Sequence, residues 1–570
     1  MDRISSSEAF VETLVAQGVT QVFGIVGSAY MDALDLFEPA GIRFVSVAHE
    51  QNAAHMADGY SRVSGRHGVC IAQNGPGVTN FVTGIAAAYW AHSPVVAITP
   101  ECGSGGTGLG GFQETDQLPI FSKITKFQVN VNRPDRIAEL TSRAFDIALS
   151  EHGPVQVNIP RDYFYAEFET ELPAPRRFAG PAGAPASLDD AADLLAKAKY
   201  PVIVAGGGVV VAKAQDALAK LAELLSAPVA TSYLHNDAFP ASHHLNLGPL
   251  GYQGSKAAMA VIAQADVVLA LGSRLGPFGT LPQYGIDYWP SGARVIQVDT
   301  DQRAIGLVKR VAVGIHADAR LAAEALFERL QKRPLSALTT RDGRLTEVAR
   351  QKAAWVAELA SQSNAEGSPI APRRALAELE RALPHNAMVS TDIGNICSVA
   401  NSYLHFEHSP SFLAPMSFGN CGYAFPVAIG AKVASPDRPA IAYVGDGAWG
   451  MSLAEVLTVV REEIPVVAVV FNNGQWGAEK KNQIDYYDSR FPGTDLKNPS
   501  FAGIARAMGA DGTTVANPGQ LGDALREAVA SGRPTVLEVM VSQELGEPFR
   551  RDALRKPTRL LAKYASYTVN

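Results

Sequence analysis

Short apolar runs alternate with longer amphipathic stretches along most of the chain, and this alternation is repeated in three blocks. A short apolar run bounded by glycine, proline or polar residues predicts a buried strand, and apolar residues at helical spacing predict a helix. Strands that alternate with helices are typical of parallel sheets, so the pattern predicts an α/β fold with three parallel-sheet domains. The predicted strands lie at 21–26, 43–47, 68–73, 94–98 and 154–159 in the first block, 202–205, 267–271 and 295–298 in the second, and 440–444 and 466–471 in the third.

The breaks between these blocks predict the domain limits. A segment rich in proline, alanine and glycine at 172–185 is typical of a linker, and a helical stretch at 336–365 precedes the third block. The first and third blocks resemble each other in layout. We therefore expect three domains and a charged carboxyl-terminal tail, at 1–180, 187–335, 365–545 and 546–570.

Composition and charge narrow the range of partners. The 570 residues exceed what one hydrophobic core supports, and 47% hydrophobic with 18% charged residues is typical of a globular protein. The net charge of −7 argues against nucleic acid as a partner, because a duplex binder needs a basic face. No apolar run approaches the roughly 20 residues that span a bilayer, and the first residues lack a signal-peptide pattern. We expect a cytoplasmic protein without a membrane partner.

Polar clusters that follow two predicted strands are the most informative feature of the sequence. The cluster 445–447 (GDG) directly follows the strand at 440–444, and the cluster 472–475 (NNGQ) follows the strand at 466–471. One helix lies between them, so both clusters are expected at the carboxyl ends of neighbouring parallel strands, where α/β sheets bind ligands. An isolated GDG is more often a simple turn, but here two clusters share one βαβ unit. Oxygen ligands for Mg²⁺ are offered by the carboxylate of Asp446, the side chain of Asn473 and the backbone carbonyl of Gln475.

The spacing of GDG and NN resembles the thiamine diphosphate (ThDP)-binding motif. This resemblance implies that ThDP and Mg²⁺ are the cofactors, with Asp446, Asn473 and Gln475 as the metal ligands. The glycines allow the main chain to approach the phosphates and expose its N–H groups to them. The implied diphosphate contacts in this loop are Gly445, Asp446, Gly447 and Ala448.

A glutamate in the first block has a second role in the same resemblance. The predicted strand that begins at Arg43 runs to His49 and Glu50, and the segment HEQNAAHMADGYSRVSG resembles the family's activating-glutamate segment. A lone glutamate here would more often be a helix amino-terminal charge favoured by the helix dipole. The resemblance instead implies that Glu50 hydrogen-bonds the pyrimidine ring of ThDP and drives the amino-to-imino shift that activates the cofactor.

Three further positions are implied to contact the cofactor. Cys421 occupies the place where acetohydroxyacid synthase-like enzymes usually carry a larger methionine, which supports the bent form of ThDP. Cysteine is smaller but polarizable, and it can fill the same role. Gly394 and Asn395 belong to the segment 392–395, which resembles another diphosphate-contacting loop.

Nearly the whole chain resembles the ThDP-dependent superfamily that includes acetohydroxyacid synthase and pyruvate oxidase, in the order pyrimidine, middle and diphosphate domains. Within it, the segments 86–96, 108–126 and 471–487 resemble the acetyltransferases that act on sulfoacetaldehyde. The implied reaction converts sulfoacetaldehyde and phosphate to acetyl phosphate and sulfite. Two alternatives stay open: a ThDP-dependent lyase or ligase acting on pyruvate or a 2-hydroxyacyl-CoA, and a flavin-containing pyruvate oxidase-like enzyme.

Both substrates of the implied reaction are anions, so cations or N–H donors are required near the reacting carbon. Gln113 and Lys126 lie in a stretch that resembles the family's substrate loop, and they are the expected catalytic side chains. The remaining candidates for binding the anions are His92, Arg274, Lys480 and Lys481. Arg274 and the two lysines could equally be solvated surface charges or members of structural ion pairs, and His92 could be a structural histidine of the core.

The middle block and the assembly complete the expectations. The turn 206–208 (GGG) lacks the full dinucleotide fingerprint, so we expect a vestigial turn and no FAD. In relatives the cofactor lies between two subunits, which supply the pyrimidine and diphosphate domains respectively. The resemblance therefore implies a homodimer or a homotetramer.

Overall fold

Three parallel six-stranded sheets, each flanked by helices, make up the fold of the described residues. The computed structural model describes residues 2–544, 554–559 and 561–564. A small antiparallel pair, Asp2–Ser5 with Glu167–Thr170, adds to the three sheets. The predicted α/β class with three parallel sheets is confirmed, while the exact domain limits stay predictions. Most of the predicted tail at 546–570 lies outside the described residues.

The first sheet contains all the predicted strands of its block, with ends shifted by a few residues, and one strand that the sequence did not predict. That strand, Phe127–Asn130, lies at the sheet edge and is only half-buried, so its sequence lacks a continuous apolar run. In spatial order the strands are Arg43–Ser46, Gln21–Gly24, Gly68–Ile71, Val95–Glu101, Val155–Pro160 and Phe127–Asn130. The α-helices are Ser6–Ala16, Met31–Asp35, Glu50–Ser64, Pro76–Thr79, Val82–Ala91, Leu118–Phe121 and Ile137–Ser150.

The middle sheet has its first strand, Pro201–Ala205, between Val229–Thr231 and Val267–Leu271. The next two strands in the chain lie on one side of this strand, and the later three lie on its other side. This reversal of the strand order creates a crevice at the carboxyl edge of the sheet. The strands in spatial order are Asn246–Pro249, Val229–Thr231, Pro201–Ala205, Val267–Leu271, Arg294–Asp299 and Val313–His316. The α-helices are Pro185–Lys197, Gly207–Val211, Gln215–Leu225, Lys256–Ile262 and Ala319–Leu330, and Arg341–Gln362 leads to the third sheet.

The third sheet repeats the strand order of the first, which agrees with the similar layout of the two blocks. Numbered along the chain within each sheet, both have the order 2-1-3-4-6-5. The strands in spatial order are Phe412–Leu413, Met388–Thr391, Ala440–Gly445, Val466–Asn472, Thr535–Met540 and Asp511–Val515. The α-helices are Pro372–Ala382, Asn395–Tyr403, Ala424–Ala434, Asp446–Trp449, Val456–Arg461, Gly477–Tyr486, Phe501–Ala507 and Pro518–Ser531.

Two helices join the first and third sheets within the chain: Glu50–Ser64, here called the Glu50 helix, and Ala424–Ala434, here called the Ala424 helix. A Cβ on Gly59 would lie 2.2 Å from the Val427 oxygen, and a Cβ on Gly430 would lie 1.9 Å from the Met56 oxygen. Glycine is therefore required where these backbones touch. Because Gly59 faces Val427 while Met56 faces Gly430, the two helices are antiparallel.

Among the described residues, no helix combines the length and hydrophobicity that a bilayer span requires.

Candidate active site

The polar clusters 445–447 and 472–475 lie at the carboxyl ends of neighbouring strands. Strand Ala440–Gly445 pairs in parallel with Val466–Asn472, and Gly445 is opposite Phe471 in the register. Asp446 therefore begins the next helix beside the point where Asn473 leaves its strand. This is the juxtaposition that the sequence predicted.

Asp446 is buried and held by two donors. Its Oδ2 accepts hydrogen bonds from the backbone N–H of Gly474 at 2.8 Å and from Nδ2 of Asn498 at 2.6 Å. Burial raises the pKa of the Asp446 carboxyl above its ordinary value, and these hydrogen bonds oppose the rise. A cation beside this carboxylate would further favour its ionised form.

Two buried oxygens of the cluster 472–475 have no hydrogen-bond donor among the described residues: Oδ1 of Asn473 and Oε1 of Gln475. The Gln543 side chain holds this segment, because its Nε2 donates to the Asn473 carbonyl at 3.1 Å. A buried acceptor without a donor is costly unless something else satisfies it. The carboxylate and the unsatisfied Asn473 oxygen together fit a hard cation such as Mg²⁺.

The predicted diphosphate contacts differ in how open they are. A Cβ on Gly445 would meet nothing within 4 Å, so the backbone there faces open space. A Cβ on Gly447 would lie 2.8 Å from the Trp476 ring, which covers this glycine. Gly447 is thus needed for packing as well as for access. Ala448 is buried beside them in the short helix.

The segment 392–395 reaches the same edge of the third sheet. Gly394 has a φ of 115°, which favours glycine, and it precedes the helix that Asn395 begins. Nδ2 of Asn395 donates to the Gly477 carbonyl at 3.5 Å. Gly477 comes just after the cluster 472–475, and this cluster together with 445–448 is here called the metal loop. Asn395 also accepts a hydrogen bond from Tyr252 of the middle domain, at 3.4 Å.

Cys421 is half-buried near a buried carboxyl. Burial raises the pKa of the Cys421 thiol to about 12, and the charges of Asp392 and Glu479 act in the same direction, so the thiol stays neutral. Asp392 accepts hydrogen bonds from the backbone N–H groups of Tyr423 at 3.2 Å and Ala424 at 3.0 Å. Its burial raises its pKa to about 6. A neutral, polarizable thiol at Cys421 can pack against the rings of a bound cofactor.

Glu50 is not at a strand end, and the prediction that its strand extends this far was wrong. The strand ends at Ser46, and Glu50 is the first residue of its helix, with His49 as the N-cap. Its Oε2 accepts a hydrogen bond from Nδ2 of Asn80 at 2.9 Å, and the side chain is half-exposed. A Cβ on Gly77 would lie 3.2 Å from Oε1, so the glycine leaves room beside the carboxylate.

Gln113 lies at the same edge of the first sheet as Glu50. Its Oε1 accepts a hydrogen bond from Nε2 of Gln73 at 3.0 Å, and its carbonyl accepts one from Nδ2 of Asn74 at 2.9 Å. Gln73 and Asn74 lie between strand Gly68–Ile71 and helix Pro76–Thr79, which contains Gly77. This segment thus brings Gln113 and Glu50 to one edge.

Lys126, His92 and Arg274 gather elsewhere, in a cavity of about 480 Å³ that residues of all three domains line. Lys126 and His92 lie just before strands of the first sheet, at the edge opposite to Glu50. Arg274 packs over the Trp90 ring at 4.7 Å and hydrogen-bonds Ser417. Desolvation, with a smaller contribution from Lys126, lowers the pKa of His92 to about 4. The structure therefore groups these three residues with one another around one cavity.

Lys480 and Lys481 follow the metal loop in helix Gly477–Tyr486, but each has an acidic neighbour. Lys480 pairs with Asp495 and Lys481 with Asp485, both at 2.5 Å between nitrogen and oxygen. Their charges are thus partly compensated before any substrate arrives.

Sequence reasoning missed two residues that contact the candidate site, Asn498 and Asn80. Asn498 donates to Asp446, and Asn80 donates to Glu50. Asn498 is a single asparagine in a polar stretch, and Asn80 is one between mostly apolar residues. A single asparagine has many structural explanations, so neither residue was singled out.

Comparison with known proteins agrees with this geometry. Family models described as "Thiamine pyrophosphate enzyme" match residues 4–120 (N-terminal TPP binding domain), 188–326 (central domain) and 392–539 (C-terminal TPP binding domain). The chain belongs to the thiamine pyrophosphate enzyme family, in which the predicted cofactor, ThDP, is bound.

Within this family the chain is similar to proteins named sulfoacetaldehyde acetyltransferase. The protein of Alcaligenes xylosoxydans xylosoxydans is 58% identical, over 99% of this chain and 98% of its own length. That of Castellaniella defragrans is also 58% identical, over 100% and 98% respectively. A probable acetolactate synthase large subunit of Methanocaldococcus jannaschii is 33% identical, over 94% of this chain and 92% of its own.

Proposed function

We propose that this protein is a ThDP-dependent acetyltransferase that converts sulfoacetaldehyde and phosphate to acetyl phosphate and sulfite. The observation that carries the proposal is the 58% identity, over essentially the full chain, to proteins with that name. The acetolactate synthase named above is only 33% identical over a similar length. The reaction is redox-neutral, because the electrons released when the C–S bond breaks leave with sulfite and the aldehyde carbon becomes the acyl carbon. It therefore requires no flavin.

The metal loop would hold the diphosphate end of the cofactor. We propose that the Asp446 carboxylate, Oδ1 of Asn473 and the backbone carbonyl of Gln475 would hold Mg²⁺, which usually takes its other ligands from phosphates and water. Support comes from the buried Asn473 oxygen, which lacks a donor among the described residues. Bound ThDP supplies a nucleophilic carbon and an electron sink for bond cleavage next to a carbonyl.

Glu50 and Gln113 would act from the first sheet. Glu50 would share a proton with the pyrimidine nitrogen, and Asn80 would keep its carboxylate oriented by donating to Oε2. Gln113, whose Oε1 is engaged by Gln73, can still donate through its own amide N–H₂ to an aldehyde or sulfonate oxygen. The roles of Glu50, Asn80 and Gln113 are proposals, and so is the binding of anionic substrates by Lys480 and Lys481.

The antiparallel helix pair favours a site built from two copies of the chain. A Cβ on Gly422, which precedes the Ala424 helix, would lie 2.9 Å from Cβ of Met451. Met451 is beside the metal loop, so the metal loop lies near that end of the helix. Glu50 begins the opposing helix, and at 1.5 Å per residue the two ends are about 20 Å apart along the pair.

Contacts at the other end of the pair agree with this separation. Arg461 hydrogen-bonds the Ser46 carbonyl, and Arg43 donates to the Glu462 carbonyl at 2.7 Å. Arg461 and Glu462 come just before strand Val466–Asn472, at the amino edge of the third sheet, whereas the metal loop is at its carboxyl edge. We infer that Glu50 of one copy serves the metal loop of another, in a homodimer or a homotetramer. The cytoplasmic location stays a prediction.

The direct test is product analysis. Purified protein with ThDP, Mg²⁺, phosphate and sulfoacetaldehyde is expected to release sulfite and acetyl phosphate in equal amounts, and omission of phosphate should stop acetyl phosphate formation. A protein that forms acetolactate from pyruvate and no sulfite from sulfoacetaldehyde would instead be a carbon–carbon ligase. A yellow protein with a flavin absorbance band that oxidises pyruvate would equally overturn the proposal.

A further inference from the structure

We propose that Asn498 is a positioning residue of the metal site, and that Asn472 and Glu538 orient it. The inference rests on the proposed function, because it concerns how Asp446 is held ready for Mg²⁺. Asn498 lies outside both sequence clusters, in the stretch between helices Gly477–Tyr486 and Phe501–Ala507.

The amide nitrogen of Asn498 connects two side chains. Nδ2 donates one hydrogen to Oδ2 of Asp446 at 2.6 Å and the other to Oδ1 of Asn472 at 3.0 Å. An amide nitrogen has two hydrogens, so both are used. A hydrogen bond to a carboxylate is stronger than one between neutral groups, which makes the contact with Asp446 the dominant one.

A buried carboxylate sets the direction of this chain of amides. Nδ2 of Asn472 donates to Oε1 of Glu538 at 2.9 Å, on the neighbouring strand Thr535–Met540. Oε2 of Glu538 accepts from the Ser500 hydroxyl at 3.0 Å and from the Ala502 N–H at 3.2 Å. Since a carboxylate only accepts, Asn472 must present its nitrogen to Glu538 and its oxygen to Asn498. Asn498 must then present its nitrogen to Asp446, and neither amide can flip without losing its partners.

The backbone around Asn498 is fixed against the metal loop. The Leu496 N–H donates to the Gly474 carbonyl at 2.8 Å, and the Trp476 N–H donates to the Thr494 carbonyl at 2.9 Å. Asn498 comes two residues after Leu496, so it and the Gly474 N–H approach the same oxygen of Asp446 from fixed positions. These two donors select one orientation of the carboxylate before the metal arrives, which reduces the cost of ordering it on binding.

Substitution of Asn498 tests this role. Loss of a hydrogen-bonded partner behind a metal ligand typically weakens metal affinity about 10- to 100-fold. In Asn498→Ala, the Mg²⁺ concentration that half-saturates ThDP binding, measured by calorimetric titration, should rise by about that factor. ThDP binding should recover at high Mg²⁺, and the cofactor-free variant should still unfold in one cooperative transition. Asn498→Ser keeps one donor and is expected to shift the Mg²⁺ requirement less; it serves the same comparison if the alanine variant does not fold.

A matched control and a defined contrary result complete the experiment. Asn517→Ala removes an exposed asparagine of the same domain whose side chain makes no capping hydrogen bond, and it should leave the Mg²⁺ requirement unchanged. An unchanged Mg²⁺ requirement in Asn498→Ala, or equal shifts in the serine and alanine variants, would overturn the positioning role. Failure of the wild-type protein to bind ThDP with Mg²⁺ would instead refute the proposed function.

Discussion

The antiparallel packing of the Glu50 and Ala424 helices leads to a prediction about mixed oligomers. Glu50→Gln removes the proposed proton partner of the cofactor ring, and Asp446→Ala removes a metal ligand, so each variant alone should be inactive. Loss of a general acid–base group typically costs about 10²- to 10⁴-fold in rate. The two losses fall on different halves of a site if each site combines two chains.

The expected activity follows from counting sites. In a dimer of one Glu50→Gln chain and one Asp446→Ala chain, one site receives both damaged halves and the other receives both intact halves. Such a dimer should therefore have about half of the wild-type activity, because a twofold dimer contains two equivalent sites. Co-expression with two different affinity tags and sequential purification isolates the mixed dimer, and sulfite release measures its activity.

The reciprocal dimer gives the opposite result. A wild-type chain paired with a Glu50→Gln, Asp446→Ala double variant places one damaged half in each site, so it should be inactive. Sites contained within single chains would reverse both outcomes: the first dimer would be inactive and the second would keep about half of the activity. That reversal would refute the argument from the helix pair.

Two further predictions concern stability. Gly59→Ala places a Cβ 2.2 Å from the Val427 oxygen and should lower the free energy of unfolding by about 1–3 kcal/mol in denaturant titrations. The control Gly519→Ala, where nothing lies within 4 Å of the new Cβ, should not lower the free energy of unfolding. Equal effects of the two substitutions would contradict the close contact between the helices. Burial raises the pKa of Asp392 from 3.8 to about 6. Between these two values the folded state binds a proton that the unfolded state has lost. The contribution of Asp392 to the free energy of unfolding should therefore fall as the pH rises from about 4 to about 6. The wild type minus Asp392→Asn difference in unfolding free energy should show this fall, and a difference that is independent of pH would be evidence against it.

Much of the fold could be predicted because its central strands are continuous apolar runs. Val267–Leu271 lies where the pattern placed it, since every residue of this strand is buried. The edge strand Phe127–Asn130 was missed because its residues are only half-buried. The strand that begins at Arg43 was predicted to be too long, because Val47 continues its apolar pattern. The strand ends at Ser46, and the helix begins at Glu50.

The candidate site was predictable only where local pattern determines it. Asp446 and Asn473 belong to one βαβ unit, so the positions of the two strands were enough to bring them together. Lys126 and Arg274 are close only because different domains pack around one cavity, which periodicity cannot reveal. Asn498 reaches Asp446 through a loop whose path depends on backbone hydrogen bonds to the metal loop.

The most direct test of the account is the binding of ThDP to the cofactor-free protein by isothermal titration calorimetry, with and without Mg²⁺. The account predicts saturable binding with about one ThDP per chain that requires Mg²⁺, and severe weakening of that binding in Asp446→Ala, because ThDP is held largely through its metal-bound diphosphate. Wild-type protein that does not bind ThDP in the presence of Mg²⁺, or an Asp446→Ala variant that binds it as tightly as the wild type, would contradict the central claim that this loop holds the cofactor.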